Sequence, residues 1–183
     1  MDNKRFKVVF IGCARSGKTS FISYVRTGKY NTKYSSTIGV EVNQIYMDDI
    51  TISCWDVAGN EKQRGLGNGY YMNADLCVVF YTGNPKEDAI SRKYEIEFIQ
   101  SNPDCGAILR VASKRDKCTI ECAVNPCGLS SFENGFIPLS LHDPKSATNL
   151  LNNIYNKLYS LVVYINVTPE LESEFNLATL THQ

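Results

Sequence analysis
The run Gly12-Cys13-Ala14-Arg15-Ser16-Gly17-Lys18-Thr19 fills every fixed position of G-x-x-x-x-G-K-[ST]. It constrains the fold more than any other feature of the chain. Residues 6–11 before it (FKVVFI) read as a buried strand, and residues 20–27 after it can form a helix. Strand, glycine-bearing loop and helix is the setting in which this spacing holds a phosphate chain. Gly12 and Gly17 permit a tight loop whose backbone N–H groups turn inward. The helix start, through Ser20, adds the positive end of its dipole. Lys18 then reaches β- and γ-phosphates, and the Thr19 hydroxyl reaches Mg²⁺.

Downstream residues narrow the chemistry. A second apolar strand ends in Asp56-Val57-Ala58-Gly59, a D-x-x-G run. An Asp at the end of a strand beside the loop can hold Mg²⁺ directly or through water. Gly59 can bring a backbone N–H close to a γ-phosphate. Thr37, in the polar run Ser36-Thr37-Ile38-Gly39, could add a hydroxyl to the same ion. After the apolar run 107–112 comes Ser113-Lys114-Arg115-Asp116. A carboxylate at Asp116 matches the N1–H and N2–H₂ donors of guanine, which adenine lacks. Each of these short motifs is weak alone; their order behind a complete phosphate loop is strong.

Taken together, these residues resemble the Ras superfamily of small GTPases, and within it the Ran family. The superfamily likeness rests on the phosphate loop, Thr37, Asp56-x-x-Gly59 and Lys114-x-Asp116. The Ran likeness rests on 37–42 (TIGVEV) and on 55–62 (WDVAGNEK), continuing through Gly65-Leu66 to Gly69-Tyr70-Tyr71. It is dense from about residue 5 to 82 and thinner beyond. It implies an α/β fold of the P-loop NTPase type, with a mostly parallel six-stranded sheet and helices on both faces. It also implies a Mg-dependent GTP/GDP switch that hydrolyses GTP. Nucleotide contacts fall on Gly12 to Ser20, Thr37, Gly59, Ser113, Lys114, Asp116, Ser140 and Leu141. The metal falls on Thr19, Thr37 and Asp56, and catalysis on Lys18, Thr37 and the residue after D-x-x-G. Exchange factors, activating proteins and effectors are the implied partners.

Several positions depart from the family pattern. Relatives carry Gln after D-x-x-G to orient the attacking water; here it is Asn60, one methylene shorter. Ala14 stands where Ran and Ras have Gly and crowds the path of an arginine finger. Both changes predict slow hydrolysis, because in-line attack depends on close placement. At the extreme, the chain is a nucleotide-locked interaction module that hydrolyses nothing. Arg15 either brings a cation near the phosphates or projects as a solvated loop side chain. Ser113 replaces the Asn of N-K-x-D and loses an amide that ties the base to the phosphate loop. The S-A-K loop of relatives becomes Ser140-Leu141-His142. Weaker nucleotide binding is expected. Transport-receptor binding does not carry over: the acidic end of Ran has no counterpart after Phe175, and its basic cluster is replaced by 128–135 (GLSSFENG).

The remaining readings are organisational. Net charge is +0, which favours neither nucleic acid nor an acidic membrane as partner. The 7 cysteines are scattered and odd in number, as expected of reduced thiols. Cys118, Cys122 and Cys127 lack metal-site spacing. No apolar run is long enough to span a membrane. The chain ends without a prenylation box, and Asp2 excludes a myristoyl signal, so a cytoplasmic or nuclear location without an anchor is expected. Strands are predicted near 5–11, 40–47, 50–56, 76–82, 107–112 and 136–140. Helices are predicted near 17–27, 65–73, 87–101 and 147–165, with a weaker one in 118–133. A GTPase domain is expected over 1–166, followed by a polar tail over 167–183.

Overall fold
The computed structural model describes residues 4–30, 34–47, 49–65, 67–103, 105, 107–114 and 135–180, apart from the side chains of 67, 68 and 163–180. Six strands run in chain order: β1 (Lys4–Gly12), β2 (Val40–Met47), β3 (Ile50–Val57), β4 (Leu76–Tyr81), β5 (Ile108–Ala112) and β6 (Phe136–Pro138). The helices are α1 (Lys18–Thr27), α2 (Pro85–Ser101) and α3 (Pro144–Leu180). The strands form one sheet of order β2-β3-β1-β4-β5-β6. The β2–β3 hairpin is antiparallel and every other pairing is parallel. The expected fold class is the observed one.

Burial on both faces explains the apolar runs of the central strands. Successive residues of a strand point to opposite faces. Phe6, Val8 and Phe10 of β1 join Leu76, Val78 and Phe80 of β4 on one face, with Phe21 and Ile22 of α1 and Leu150, Ile154 and Leu158 of α3. Val9, Ile11, Cys77, Val79 and Tyr81 make the opposite face, with Tyr94 and Phe98 of α2 and with Tyr71. The stripe on 150–158 is therefore core, as its helical spacing predicts.

Two elements differ from the sequence reading. The helix expected over 65–73 is only a 3₁₀ turn at Gly67–Tyr70, with another at Glu61–Gln63. Gly65, Gly67 and Gly69 make a helix there costly, and Gly65 (φ 70°) and Asn73 (φ 56°) are left-handed. The last helix runs from Pro144 to Leu180 rather than over 147–165. Pro144 suits a first turn, and Asp143 Oδ1 accepts from Lys145 N at 3.1 Å. The helix passes Pro169, and the Glu, Leu and Ala content of 170–180 favours its continuation. The weak helix predicted in 118–133, and Cys118, Cys122 and Cys127, lie outside the described residues. Among the described residues no helix is long and apolar enough to cross a membrane.

Candidate functional site
Strands β1 and β3 are neighbours in parallel register, Phe10 opposite Asp56, so both deliver loops to the same sheet edge. At the end of β1, Gly12 has φ 140°, and a Cβ there would stand 2.6 Å from the Phe80 carbonyl oxygen. No other residue fits. The loop closes around its own lysine. Lys18 Nζ donates to Gly12 O (2.9 Å), Cys13 O (3.0 Å) and Ser16 Oγ (3.3 Å). Lys18 is buried, and burial lowers its pKa to about 8, opposed by the nearby Asp56 charge.

Asp56, at the end of β3, is 1% exposed. Its Oδ2 accepts from the Thr19 hydroxyl, and Thr19 Oγ1 lies 3.1 Å from Thr37 Oγ1. Asp56 Oδ1 is the buried side-chain oxygen left without a hydrogen-bond partner among the described residues. Burial pushes the Asp56 carboxyl above its usual value, against the Thr19 hydrogen bond and the Lys18 charge. A buried acceptor without a donor is costly. A carboxylate with a free oxygen, flanked by two hydroxyls, is a hard-oxygen set that fits Mg²⁺.

The D-x-x-G loop packs directly on the phosphate loop. A Cβ on Gly59 would stand 2.4 Å from Ala14 N, so glycine is required by space. Asn60 is exposed, and its Oδ1 accepts from Lys62 N at 3.1 Å, capping the Glu61–Gln63 turn. Its side-chain oxygen is thus engaged locally.

At the far end, Ser113 and Lys114 follow β5. Ser113 Oγ donates to Tyr81 O (2.9 Å), away from the phosphate loop. The loop is tied instead from α2, where Ser91 Oγ accepts from Cys13 N at 3.0 Å. Lys114 adopts φ 56°. After β6, Ser140 N donates to Ser146 Oγ (2.9 Å). The Tyr30 and His142 rings meet with centroids 5.0 Å apart.

These groups surround one pocket of about 490 Å³. Of the residues singled out from sequence, Ala14, Arg15, Ser16, Gly17, Lys18, Thr19, Ser20, Thr37, Gly59, Asn60, Ser113, Lys114 and Leu141 line it. Gly12, Cys13 and Asp56 are buried outside that lining, and Ser140 does not line it. Asp116 lies outside the described residues. The sequence reading missed Tyr30, Tyr34, Ser23 and Gln63 in the lining and Ser91 behind it. Ser23, Tyr34 and Gln63 lie within four residues of Thr19, Thr37 and Asn60, so their neighbourhood to those motifs was the available signal, whereas Tyr30 and Ser91 reach the site through tertiary packing.

A phosphate loop at the end of a central parallel strand, with a D-x-x-G loop packed against it, defines a nucleotide-binding protein of the P-loop class. Residues 7–116, more than half of the chain, match the family described as "Ras of Complex, Roc, domain of DAPkinase". The chain belongs to this Roc family and is a GTP-binding switch domain of the Ras superfamily.

Proposed function
We propose that this chain is a Mg-dependent GTP/GDP switch, Ran-like in ancestry, with slow GTP hydrolysis. The observation that carries the reading is the Thr19–Thr37–Asp56 cluster with its unpaired Asp56 Oδ1, beside a complete phosphate loop. In this reading Lys18 exchanges its loop carbonyls for β- and γ-phosphate oxygens. Thr19 and Asp56 would hold Mg²⁺, with Thr37 joining when a γ-phosphate is present, and the ion would supply charge neutralisation at the phosphates. Gly59 offers its N–H to that phosphate. Lys114 lays its stem along the base, and Asp116 accepts from guanine. The Ran-like ancestry rests on 37–42 and 55–71, where the sequence resemblance is dense. A GTPase domain over 1–166 with an appended 167–183 segment, and regulators and effectors of protein nature, complete the proposal.

The local engagement of Asn60 supports a second reading, a nucleotide-locked interaction module with no turnover. Displacement of a fluorescent guanine nucleotide by GTP, GDP and ATP tests the common ground: equal displacement by ATP refutes guanine selectivity. Single-turnover GTP cleavage, with and without candidate activating proteins, separates a slow switch from a locked module.

A further inference from the structure
The phosphate loop carries a cation that the mechanism above does not use. Arg15 sits at φ 61°, a left-handed conformation that is unfavourable for a non-glycine residue. Its guanidinium lies 4.9 Å from the centroid of the Tyr34 ring. Both residues are exposed and both line the pocket. Among the described residues no carboxylate forms an ion pair with Arg15. Three residues beyond Tyr34, Thr37 meets Thr19 at 3.1 Å. The 34–37 segment is therefore fastened twice to the phosphate loop and the start of α1, once by Arg15 on Tyr34 and once by the paired hydroxyls.

We propose that Arg15 and Tyr34 form a latch across the mouth of the pocket, and that a bound nucleotide leaves only when this latch opens. The inference rests on the nucleotide-binding reading above. A cation over an aromatic ring is favourable by electrostatics, and the phosphates beneath add attraction for the same guanidinium. The latch therefore slows release without contacting the base.

The test is the release rate of a fluorescent GDP analogue at saturating Mg²⁺, from the full chain and four variants. Arg15→Ala and Tyr34→Leu should each speed release about three- to tenfold, and the double variant should be no faster than the faster single one. Tyr34→Phe keeps the ring and should release at the wild-type rate. Because both side chains are exposed, melting temperatures should stay level across the set, which a merely structural role would not require. Additive effects in the double variant, or an unchanged rate in Arg15→Ala, overturn the latch while leaving nucleotide binding intact. A wild type that holds no guanine nucleotide removes the binding reading and the latch with it.

Discussion

The guanidinium of Arg64 lies 3.5 Å from the centroid of the Tyr94 ring, joining the loop after Gly59 to helix α2. Arg64 is only 5% exposed. Its Nε donates to Ala58 O (3.3 Å), Nη1 pairs with Glu97 (3.0 Å), and Nη2 reaches the Tyr71 hydroxyl. Tyr94 in turn donates its hydroxyl to Gly59 O at 3.2 Å. Glu97 is part-exposed and also lies 3.8 Å from Lys93, so removing Arg64 strands chiefly Ala58 O and the Tyr71 hydroxyl. Arg64→Ala should cost about 3 kcal/mol in urea unfolding, from these unpaired groups and the lost packing on Tyr94. Tyr94→Phe, which keeps the ring and loses one hydrogen bond, should cost about 1 kcal/mol. Equal, small losses would place the strength of this junction elsewhere.

Ser91 is fully buried and accepts from Cys13 N. Ser91→Ala leaves a buried backbone N–H without a partner and should destabilise the protein by about 1–3 kcal/mol. Nucleotide release should quicken as well, since the phosphate loop loses its tie to α2. Ser91→Thr keeps the hydroxyl but adds a methyl in a packed site, so it should fall between. Unchanged release in Ser91→Ala would show that the loop holds its shape without this bond.

The metal reading is checked by withdrawing the ion. Chelation should speed nucleotide release about tenfold or more, roughly 1.4 kcal/mol of barrier. A readout free of nucleotide turnover is thermal stability. Asp56→Asn removes a buried charge whose Oδ1 has no donor among the described residues, so in metal-free buffer it should be at least as stable as wild type. It should also lose whatever stabilisation Mg²⁺ with GDP confers on wild type. Identical stabilisation of both proteins would remove Asp56 from the site.

Asn60 is engaged as a cap, and in the proposed slow switch it is one methylene short of a water-holding Gln. Asn60→Gln should raise intrinsic GTP cleavage, by about tenfold for a 1.4 kcal/mol lower barrier. Adding Ala14→Gly should raise stimulated cleavage further. The same substitution gives up a good N-cap, costing about 1 kcal/mol in local stability. Single-turnover assays and urea unfolding on the same samples would read both effects. A wild type as fast as ordinary small GTPases, with no gain from Asn60→Gln, would mean that Asn60 is positioned by other means.

What sequence made legible here was whatever has a local cause. The glycine spacing, the both-faced apolar strands and the leucine stripe of α3 each declare themselves within one element. So did Thr19, Thr37 and Asp56, whose short motifs fall at the start of α1, in the loop before β2 and near the end of β3. The 65–73 segment misled because its apolar residues suggest a helix while its three glycines forbid one. Ser91, Arg64 and Tyr34 stayed hidden because each acts on a partner 78, 33 and 19 residues away. Ser113 shows the converse. Its loss of an amide was visible, but not that Ser91 supplies a tie to the phosphate loop.

Ser91, Tyr94 and Glu97 recur every third residue along one helix, and each grips something different. Ser91 holds the phosphate loop, Tyr94 the carbonyl of Gly59, and Glu97 the arginine beyond it. Side chains at this spacing share a face, so both nucleotide loops take their position from one rigid rod as well as from each other. A small slide or tilt of α2 along the sheet would shift both loops in step. Pressure applied to the back of this helix, well away from the pocket, would reach the phosphate loop and the D-x-x-G loop at once.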